Sequence, residues 1–225
     1  MPILYEDRSV LAIDKPPGWM LVPPSWQRTR LNLQAAITSS IAARDFWARS
    51  RSLRFLRYVH RLDADTTGIL LFAKSQGALE TYSELFESRR MEKTYLAAVR
   101  GRPKQVEWIC RLKLAPDPKR IGRMRVDPRG KEAETRFRVL QTHGETSLVE
   151  AHPLTGRTHQ IRVHLTESGC PVTGDELYGR DGGRMNLGLR AVALAYVDPF
   201  THRRVEIQAP LEDFCREYKF DIPAL

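Results

Sequence analysis

Short apolar runs on either side of a polar turn begin the chain. Leu4-Tyr5 and Val10–Ile13 flank the polar segment Glu6–Ser9, a pattern typical of two strands joined as a hairpin. Lys15–Gly18 (KPPG) then ends the second strand, because proline and glycine interrupt regular structure. The sequence therefore predicts a β-hairpin at this point.

Three later segments have apolar residues at helical spacing, and a fourth segment is a continuous apolar run. We expect helices at about 31–43, after Ser75, and from near Thr158. Ser75 offers the hydroxyl that an N-cap uses to accept a backbone N–H group. The uninterrupted run Ile69–Ala73 is typical of a strand that is buried on both faces.

Most of the remaining pattern is typical of strands. They are expected at about 94–99, 106–114, 134–140, 148–151, 191–196 and 205–208. This order mixes hairpins with crossovers, which favours an α+β fold with a mixed, largely antiparallel central sheet flanked by helices. No internal repeat and no long linker divides the chain, so we expect a single domain over residues 1–225.

Composition narrows the class of protein. The chain has 225 residues and is 42% hydrophobic, enough to fill a sizeable core and to exclude disorder as its main state. It has no apolar run of about 18 residues and no export signal, so we expect a cytoplasmic protein without membrane contact. Three widely spaced cysteines without a CxxC pair argue against a disulfide framework and against a thiolate zinc site.

The formal net charge of +9 is concentrated in two clusters. Eight arginines from Arg28 to Arg61 are opposed only by Asp45, and eight lysines and arginines from Arg111 to Lys131 are opposed by two aspartates. Guanidinium groups match phosphate geometry, and aromatic residues interleaved with the first cluster suit unpaired bases. The charge distribution therefore indicates RNA as a partner, with a solvated basic surface as the alternative.

The densest group of reactive side chains is His60–Gly68 (HRLDADTTG), directly before the buried strand. A loop that enters a rigid strand holds a catalytic group in a fixed position. Asp63 and Asp65 have two interpretations. They are a carboxylate pair, as in glycoside hydrolases, or Asp65 is structural and hydrogen-bonds the loop backbone. The turn residues around them favour the second interpretation.

A second group of candidates is Thr155–Leu165 (TGRTHQIRVHL). The spacing of His159 and His164 matches no common metal motif, so buried, hydrogen-bonded histidines are expected rather than metal ligands. Arg162 is either a surface arginine or a residue that points into a cleft. No Walker, GxSxG or GxGxxG motif occurs, which excludes the commonest hydrolase and nucleotide sites.

These motifs, taken in order, resemble the RluA family of RNA pseudouridine synthases. His60–Gly68 is similar to the family's HRLDxxTSG signature, Lys93–Ala97 (KTYLA) to its second motif and Gly156–Leu165 to its third. Further similar segments are Asp14–Gly18, Lys131–Thr135, Gly174–Gly179 and Ala209–Leu211. The similarity extends over nearly the whole chain.

The resemblance implies the pseudouridine synthase fold and an isomerase that converts specific uridines in rRNA or tRNA stem-loops to pseudouridine. It implies Asp63 as the essential carboxylate, Arg162 as its ion-pair partner and Tyr95 as the residue that stacks on the uracil. The residues implied around them are His60, Arg61, Lys93 and Arg157 for RNA contact, and Ile161 and Leu165 for the pocket wall. No metal and no cofactor is implied, because the isomerisation gains neither atoms nor electrons.

Three departures from the family pattern concern the substrate more than the reaction. Thr67 stands where the family commonly has Ser, Ala64 where it commonly has Arg, and Val22–Pro24 replaces Val-His-Pro. The first strand begins at about Ile3, so we expect no separate N-terminal RNA-binding domain. The expected enzyme is a monomer whose catalytic domain selects the RNA.

Two other functions fit parts of the sequence. A non-catalytic RNA-binding or ribosome assembly factor would use the same basic surface, but it would not need Asp63, Tyr95 and Arg162. A metal-dependent nuclease would need clustered acids, for which Asp63, Asp65 and Asp175 are the candidates.

Overall fold

The computed structural model describes residues 1–21, 31–179 and 185–224. In chain order the described strands and helices are β1 (Ile3–Glu6), β2 (Val10–Lys15), α1 (Leu33–Ala42), α2 (Phe46–Arg49), β3 (Arg57–Tyr58), β4 (Thr67–Ala73), α3 (Gln76–Glu87), β5 (Glu92–Arg100), β6 (Glu107–Cys110), β7 (Leu114–Pro116), β8 (Met124–Val126), β9 (Thr135–His143), β10 (Thr146–Pro153), α4 (Gln160–Glu167), β11 (Leu189–Val197), β12 (Arg204–Gln208) and α5 (Glu212–Tyr218). None of the described helices is long and apolar enough to cross a membrane. Val22–Pro24, Arg28 and Arg30 lie outside the described residues.

The chain divides into two compact units. Unit 1 comprises Met1–Met91 and Leu194–Ala209, and unit 2 comprises Glu92–Ala193 and Pro210–Leu225. Strand β11 therefore begins in unit 2 and ends in unit 1. The expectation of a single domain over residues 1–225 stays a prediction.

Unit 1 contains the antiparallel pairs β1–β2, β2–β4 and β3–β4. The first pair is the expected hairpin, whose turn is fixed by Asp7. Its carboxylate accepts hydrogen bonds from the backbone N–H groups of Ser9 at 2.7 Å and Val10 at 2.8 Å. Strand β2 pairs with β4 in a register that places Lys15 opposite Gly68. The KPPG segment thus lies beside the loop that carries Asp63.

Local sequence signals account for the other elements of unit 1. Ile69–Ala73 is at most 1% exposed, which confirms a strand buried on both faces. Helix α3 begins after Ser75, whose hydroxyl accepts a hydrogen bond from the N–H of Ala78 at 3.2 Å, as predicted. Helix α1 begins after Asn32, which caps it in the same way.

Unit 2 contains an antiparallel sheet with the strand order β5-β10-β9-β6. Alternate side chains of a strand point to opposite faces, so β5 contributes to two separate clusters. Ala97 and Val99 lie in a buried cluster with residues of α4, and Leu96 and Ala98 lie in a second cluster with residues of α5. A helix therefore covers each face of this sheet.

These pairings confirm an α+β fold with a largely antiparallel sheet flanked by helices. Cys110, Cys170 and Cys215 are buried and free, as the argument against a disulfide framework predicted.

Candidate functional site

Asp63 lies in the loop between β3 and β4 of unit 1. Leu62 and Thr66 are buried and anchor the loop, while Asp63 is partly exposed and Asp65 is exposed. The expectation that Asp65 hydrogen-bonds the loop backbone is wrong for the described part of the chain, where no such bond occurs. The loop carbonyls of Ala64 and Thr66 instead accept hydrogen bonds from donors outside the loop.

Lys15 supplies these donors. Its side chain is fully buried, and Nζ donates to the carbonyls of Ala64 at 2.5 Å, Thr66 at 3.0 Å and Pro16 at 3.0 Å. Burial lowers the pKa of Lys15 to about 8, and the negative charges of Asp65 and Asp63 oppose that shift. The ammonium group therefore fixes the backbone on the C-terminal side of Asp63. In the sequence, Lys15 belonged to the similar segment Asp14–Gly18, but no role was assigned to it.

His60 and Arg61 precede Asp63 in the same loop. The His60 imidazole stacks on Phe86 with ring centroids 4.5 Å apart, and its Nε2 accepts the N–H of Leu71 at 3.2 Å. His60 thus ties the loop to β4 and α3, while the predicted RNA contact of His60 stays a prediction. Arg61 is exposed, which is compatible with its predicted contact with RNA.

Tyr95, Ile161 and Leu165 are brought together in unit 2. Ile161 and Leu165 belong to the buried cluster between β5 and α4, and the half-buried ring of Tyr95 packs against that cluster. An aromatic ring above an apolar wall offers a stacking surface for a planar base. The pocket wall predicted from Ile161 and Leu165 therefore has Tyr95 beside it.

Arg162 in α4 forms a buried ion pair with Asp175. Its Nε and Nη2 donate to the two carboxylate oxygens of Asp175, each at 2.7 Å, and the side chains are 6% and 0% exposed. This bidentate geometry fixes both the position and the rotation of the guanidinium plane. From the sequence, Asp175 was a candidate nuclease ligand and part of the segment Gly174–Gly179, without a role toward Arg162. Both of its oxygens are instead used to hold Arg162.

The turn Gly174–Gly179 holds Asp175 in place. The same carboxylate accepts hydrogen bonds from the N–H groups of Leu177 and Tyr178, both at 3.0 Å. Burial alone would raise the pKa of Asp175, but Arg162 and these two amides outweigh it and lower the pKa below its ordinary value. The carboxylate is therefore kept charged as a rigid support for Arg162.

Tyr178 links this support to the start of α4. Its hydroxyl accepts the N–H of Met124 at 2.7 Å and lies 2.8 Å from Nδ1 of His159. His159 has a left-handed backbone with φ of 54° and directly precedes the helix. The Arg162 guanidinium lies 5.2 Å from the centre of the Tyr178 ring. Asp175 and Tyr178 thus contact Arg162 from one short turn.

A buried network also fixes α4 on the sheet. Gln160 accepts a hydrogen bond from the Thr155 hydroxyl and donates to the Glu134 carbonyl and the Thr135 hydroxyl. His164 is fully buried and hydrogen-bonded to Thr135 and to the Leu112 carbonyl, and burial lowers its pKa. The prediction of a buried, hydrogen-bonded histidine is confirmed for His164, whereas His159 is only partly buried.

Lys93 and Arg157 flank this region with main-chain contacts. Lys93 Nζ donates to the Thr155 carbonyl at 3.3 Å, and Arg157 Nε donates to the Glu132 carbonyl at 2.9 Å. The acceptors in both of these contacts are neutral carbonyl oxygens. Their contact with RNA stays a prediction.

The predicted residues fall into two groups. His60, Arg61 and Asp63 belong to unit 1, and Tyr95, Arg162 and the remaining candidates belong to unit 2. The ion pair between Asp63 and Arg162 therefore stays a prediction. In residues 1–21, 31–179 and 185–224, no three His, Cys, Asp or Glu side chains are grouped as metal ligands.

Comparison with known proteins gives consistent results. A family model described as RNA pseudouridylate synthase matches residues 9–167, a span that contains Asp63, Tyr95 and Arg162. The chain is 37% identical over 222 residues to ribosomal large subunit pseudouridine synthase C of Vibrio cholerae. It is 36% identical over 230 residues to the protein of that name from Escherichia coli K12. These alignments cover 93% and 94% of this chain but only 65% and 66% of the relatives.

Solved structures show the same fold. Human RNA Pseudouridylate Synthase Domain Containing 1 superposes with a TM-score of 0.73 at 29% identity, covering 92% of this chain and 82% of the human one. Human RNA Pseudouridylate Synthase Domain Containing 4 gives a TM-score of 0.78 at 22% identity, covering 99% and 94%, and supports the fold alone. Since the family model covers well over half of its length, the chain belongs to the RNA pseudouridylate synthase family.

Proposed function

We propose that this chain is an RNA pseudouridine synthase that isomerises specific uridines in rRNA, tRNA or both. The names of the bacterial relatives favour the RNA of the large ribosomal subunit as its substrate. We further propose that it works as a monomer in the cytoplasm. Because the chain spans 65% of the length of the Vibrio cholerae relative, the absence of a preceding RNA-binding domain stays a prediction.

One observation carries this proposal: a buried ammonium holds the loop of the candidate acid. Lys15 Nζ donates to the carbonyls of Ala64 and Thr66, which follow Asp63 in the chain. A carboxylate that reacts at a sugar carbon must keep its position while the base detaches, so a fixed loop favours catalysis. A protein that only binds RNA would not need this internal clamp.

The reaction exchanges one bond to the ribose for another. The N1–C1′ bond of uridine breaks, C5 of the uracil bonds to C1′ and loses its proton, and N1 takes up a proton. In this proposal Asp63 starts the reaction in one of two ways. It is either the nucleophile at C1′, displaced when C5 bonds to C1′, or the base that removes the C2′ proton and returns it after C5 has bonded. The composition of the nucleotide is unchanged, so the chemistry needs no electron acceptor.

Arg162 and Tyr95 assist Asp63 in this proposal. Asp175 engages Nε and Nη2 of Arg162, so a pair with Asp63 uses the Nη1 side of the guanidinium. Arg162 is then a positioning residue that keeps the acid charged and oriented. Tyr95 stacks on the uracil and passes on the C5 proton, its hydroxyl accepting one proton as it releases another. Ile161 and Leu165 exclude water from the detached base.

Arg61 has the remaining role, which concerns the RNA. A uridine inside a stem-loop must leave its stack before a carboxylate can reach C1′. The exposed Arg61 side chain lies two residues before Asp63 and fills the space that the extruded nucleotide leaves. Its charge also contacts the adjacent phosphates.

The test compares Asp63→Asn with Asp65→Asn. Both changes remove one negative charge from the same loop, but only Asp63 has a proposed role in the reaction. Unmodified large-subunit rRNA and tRNA are incubated with each protein, and pseudouridine is mapped by carbodiimide modification. We expect wild type and Asp65→Asn to form pseudouridine and Asp63→Asn to form none while still binding the RNA.

The possible results separate the candidate functions. Pseudouridine formed by Asp63→Asn would remove Asp63 from the mechanism. RNA binding by wild type without any pseudouridine would instead favour the RNA-binding or assembly factor.

A further inference from the structure

A small hairpin in unit 2 has no role in the proposed reaction. Strands β7 and β8 pair antiparallel and are joined by residues 117–123. The N–H of Asp117 donates to the Arg123 carbonyl at 2.8 Å, and the Asp117 carboxylate accepts the N–H of Lys119 at 2.9 Å. These bonds close the loop on itself. Its shape is therefore set within the hairpin.

Ile121 lies at the apex of this loop. The N–H of Arg123 donates to the Arg120 carbonyl at 3.1 Å, and Gly122 has a φ of 81°, as the third position of a type II turn requires. The turn presents the Ile121 side chain with 104% relative exposure. Isolated exposed apolar residues are common, but this one is held outward by a hydrogen-bonded turn between two arginines.

Acidic side chains neutralise only part of the second basic cluster, which extends from Arg111 to Lys131. Arg111, Lys113 and Arg125 form ion pairs with Glu134, Glu132 and Asp127. Lys119 and Arg120, on the loop, have no acidic partner among the described residues. Uncompensated charge therefore remains on the loop, directly beside Ile121.

The base of the hairpin packs against residues that lie next to Arg162. Met124 and Val126 pack against a buried cluster that contains Val163 of α4 and Tyr178. The Arg123 guanidinium lies 4.9 Å from the centre of the Tyr178 ring. A cleft of about 330 Å³ lies between the loop and α4, lined by four cations of the hairpin and by Asp117 and Glu167. The hairpin that carries the loop is thus packed directly on the candidate site in unit 2.

We propose that the loop 117–123 is an RNA wedge, in which Ile121 inserts against the bases while Lys119 and Arg120 bind the flanking phosphates. This inference rests on the proposed function, since it assumes RNA as the partner. Apolar side chains that unstack a base step, with cations on the adjacent backbone, are a known way of deforming a nucleic acid. RNA matches both parts of this surface, because phosphates suit the two cations and bases suit the apolar apex.

The test uses two variants, each with a matched control. Ile121→Ala is compared with Val106→Ala, which shortens an aliphatic side chain that is 69% exposed elsewhere in unit 2. Arg120→Ala is compared with Arg216→Ala, because Arg216 is already paired with Asp213. Affinity for unmodified large-subunit rRNA is measured by filter binding over a series of KCl concentrations, together with pseudouridine formation.

The two loop variants have different expected signatures. Ile121→Ala weakens RNA binding by about tenfold without changing the salt dependence, since no charge is lost. Arg120→Ala lowers the slope of log affinity against log salt by about 0.7 to 0.9. Both controls match wild type. Equal affinities of Ile121→Ala and Val106→Ala would overturn the wedge.

This outcome is distinguishable from failure of the proposed function. If wild type forms pseudouridine and Ile121→Ala binds RNA equally well, the wedge is wrong and the enzyme assignment stands. If wild type forms no pseudouridine but Ile121→Ala loses affinity, the assignment is wrong and the wedge stands. If wild type does not bind the RNA, both are wrong.

Discussion

At the scale of single residues, Lys15 makes an unusual contribution to stability. Its pKa of about 8 in the folded chain lies below the ordinary 10.5, because burial disfavours the charge. Between these two values the unfolded chain holds a proton that the folded chain has released. The free energy of unfolding therefore rises with pH over this window, by about 3 kcal/mol from Lys15 alone.

Urea unfolding of wild type and Lys15→Met over a pH series measures this effect. We expect the free energy of unfolding of wild type to rise relative to that of Lys15→Met as the pH increases from about 8 to 10.5. Lys104→Met, at an exposed position, is the matched control for loss of a lysine. A difference that stays constant with pH would show that Lys15 is not desolvated in the folded protein.

A second prediction at this scale concerns Asp175. Asp175→Asn keeps the shape of the side chain but leaves the buried Arg162 charge without its bidentate partner. We expect a loss of about 3 to 5 kcal/mol in the free energy of unfolding, measured in urea. Asp213→Asn breaks an ion pair whose carboxylate is 96% exposed and should change stability little. Equal effects of the two substitutions would contradict a supporting role for Asp175.

At the scale of elements, the turn Gly174–Gly179 depends on its first glycine. Gly174 has a φ of 73°, and an added Cβ would overlap the backbone carbonyl of Asn186. Gly174→Ala is therefore expected to destabilise the protein by about 3 kcal/mol, from backbone strain and steric overlap together. Thermal unfolding provides the measurement.

The control for this substitution is Gly77→Ala in helix α3. An added Cβ at Gly77 meets no atom within 4 Å, and alanine favours the helix. We expect Gly77→Ala to raise the stability by a few tenths of a kcal/mol. If Gly174→Ala changed the stability of the protein as little as Gly77→Ala does, the turn would be able to relax without cost.

Elements were predictable from sequence where their signals were local. The hairpin around Glu6–Ser9, the Ser75 cap and the buried strand β4 depend on residues within a few positions of one another, and all three are confirmed. The start of α4 was predicted near Thr158, and the helix begins at Gln160. The contact of His159 with Tyr178, nineteen residues further along the chain, could not be predicted from this local pattern.

At the scale of the whole molecule, the net charge of +9 predicts salt-dependent RNA binding. Each phosphate neutralised by a lysine or arginine releases counterions, which gives a slope of about 0.7 per phosphate on single strands. Filter binding to unmodified rRNA over a KCl series should therefore show affinity falling steadily with salt. Affinity that does not depend on salt would remove both basic clusters from RNA recognition.

The sequence by itself determined the fold class, the family and the loop that carries Asp63. These follow from periodicity and from motifs that are contiguous in the chain. Only the tertiary structure decided that Lys15 clamps the Asp63 loop across 49 residues and that Asp175 holds Arg162. Such contacts depend on strand register and helix placement, and a linear pattern shows which residues are buried but not which distant partners they meet.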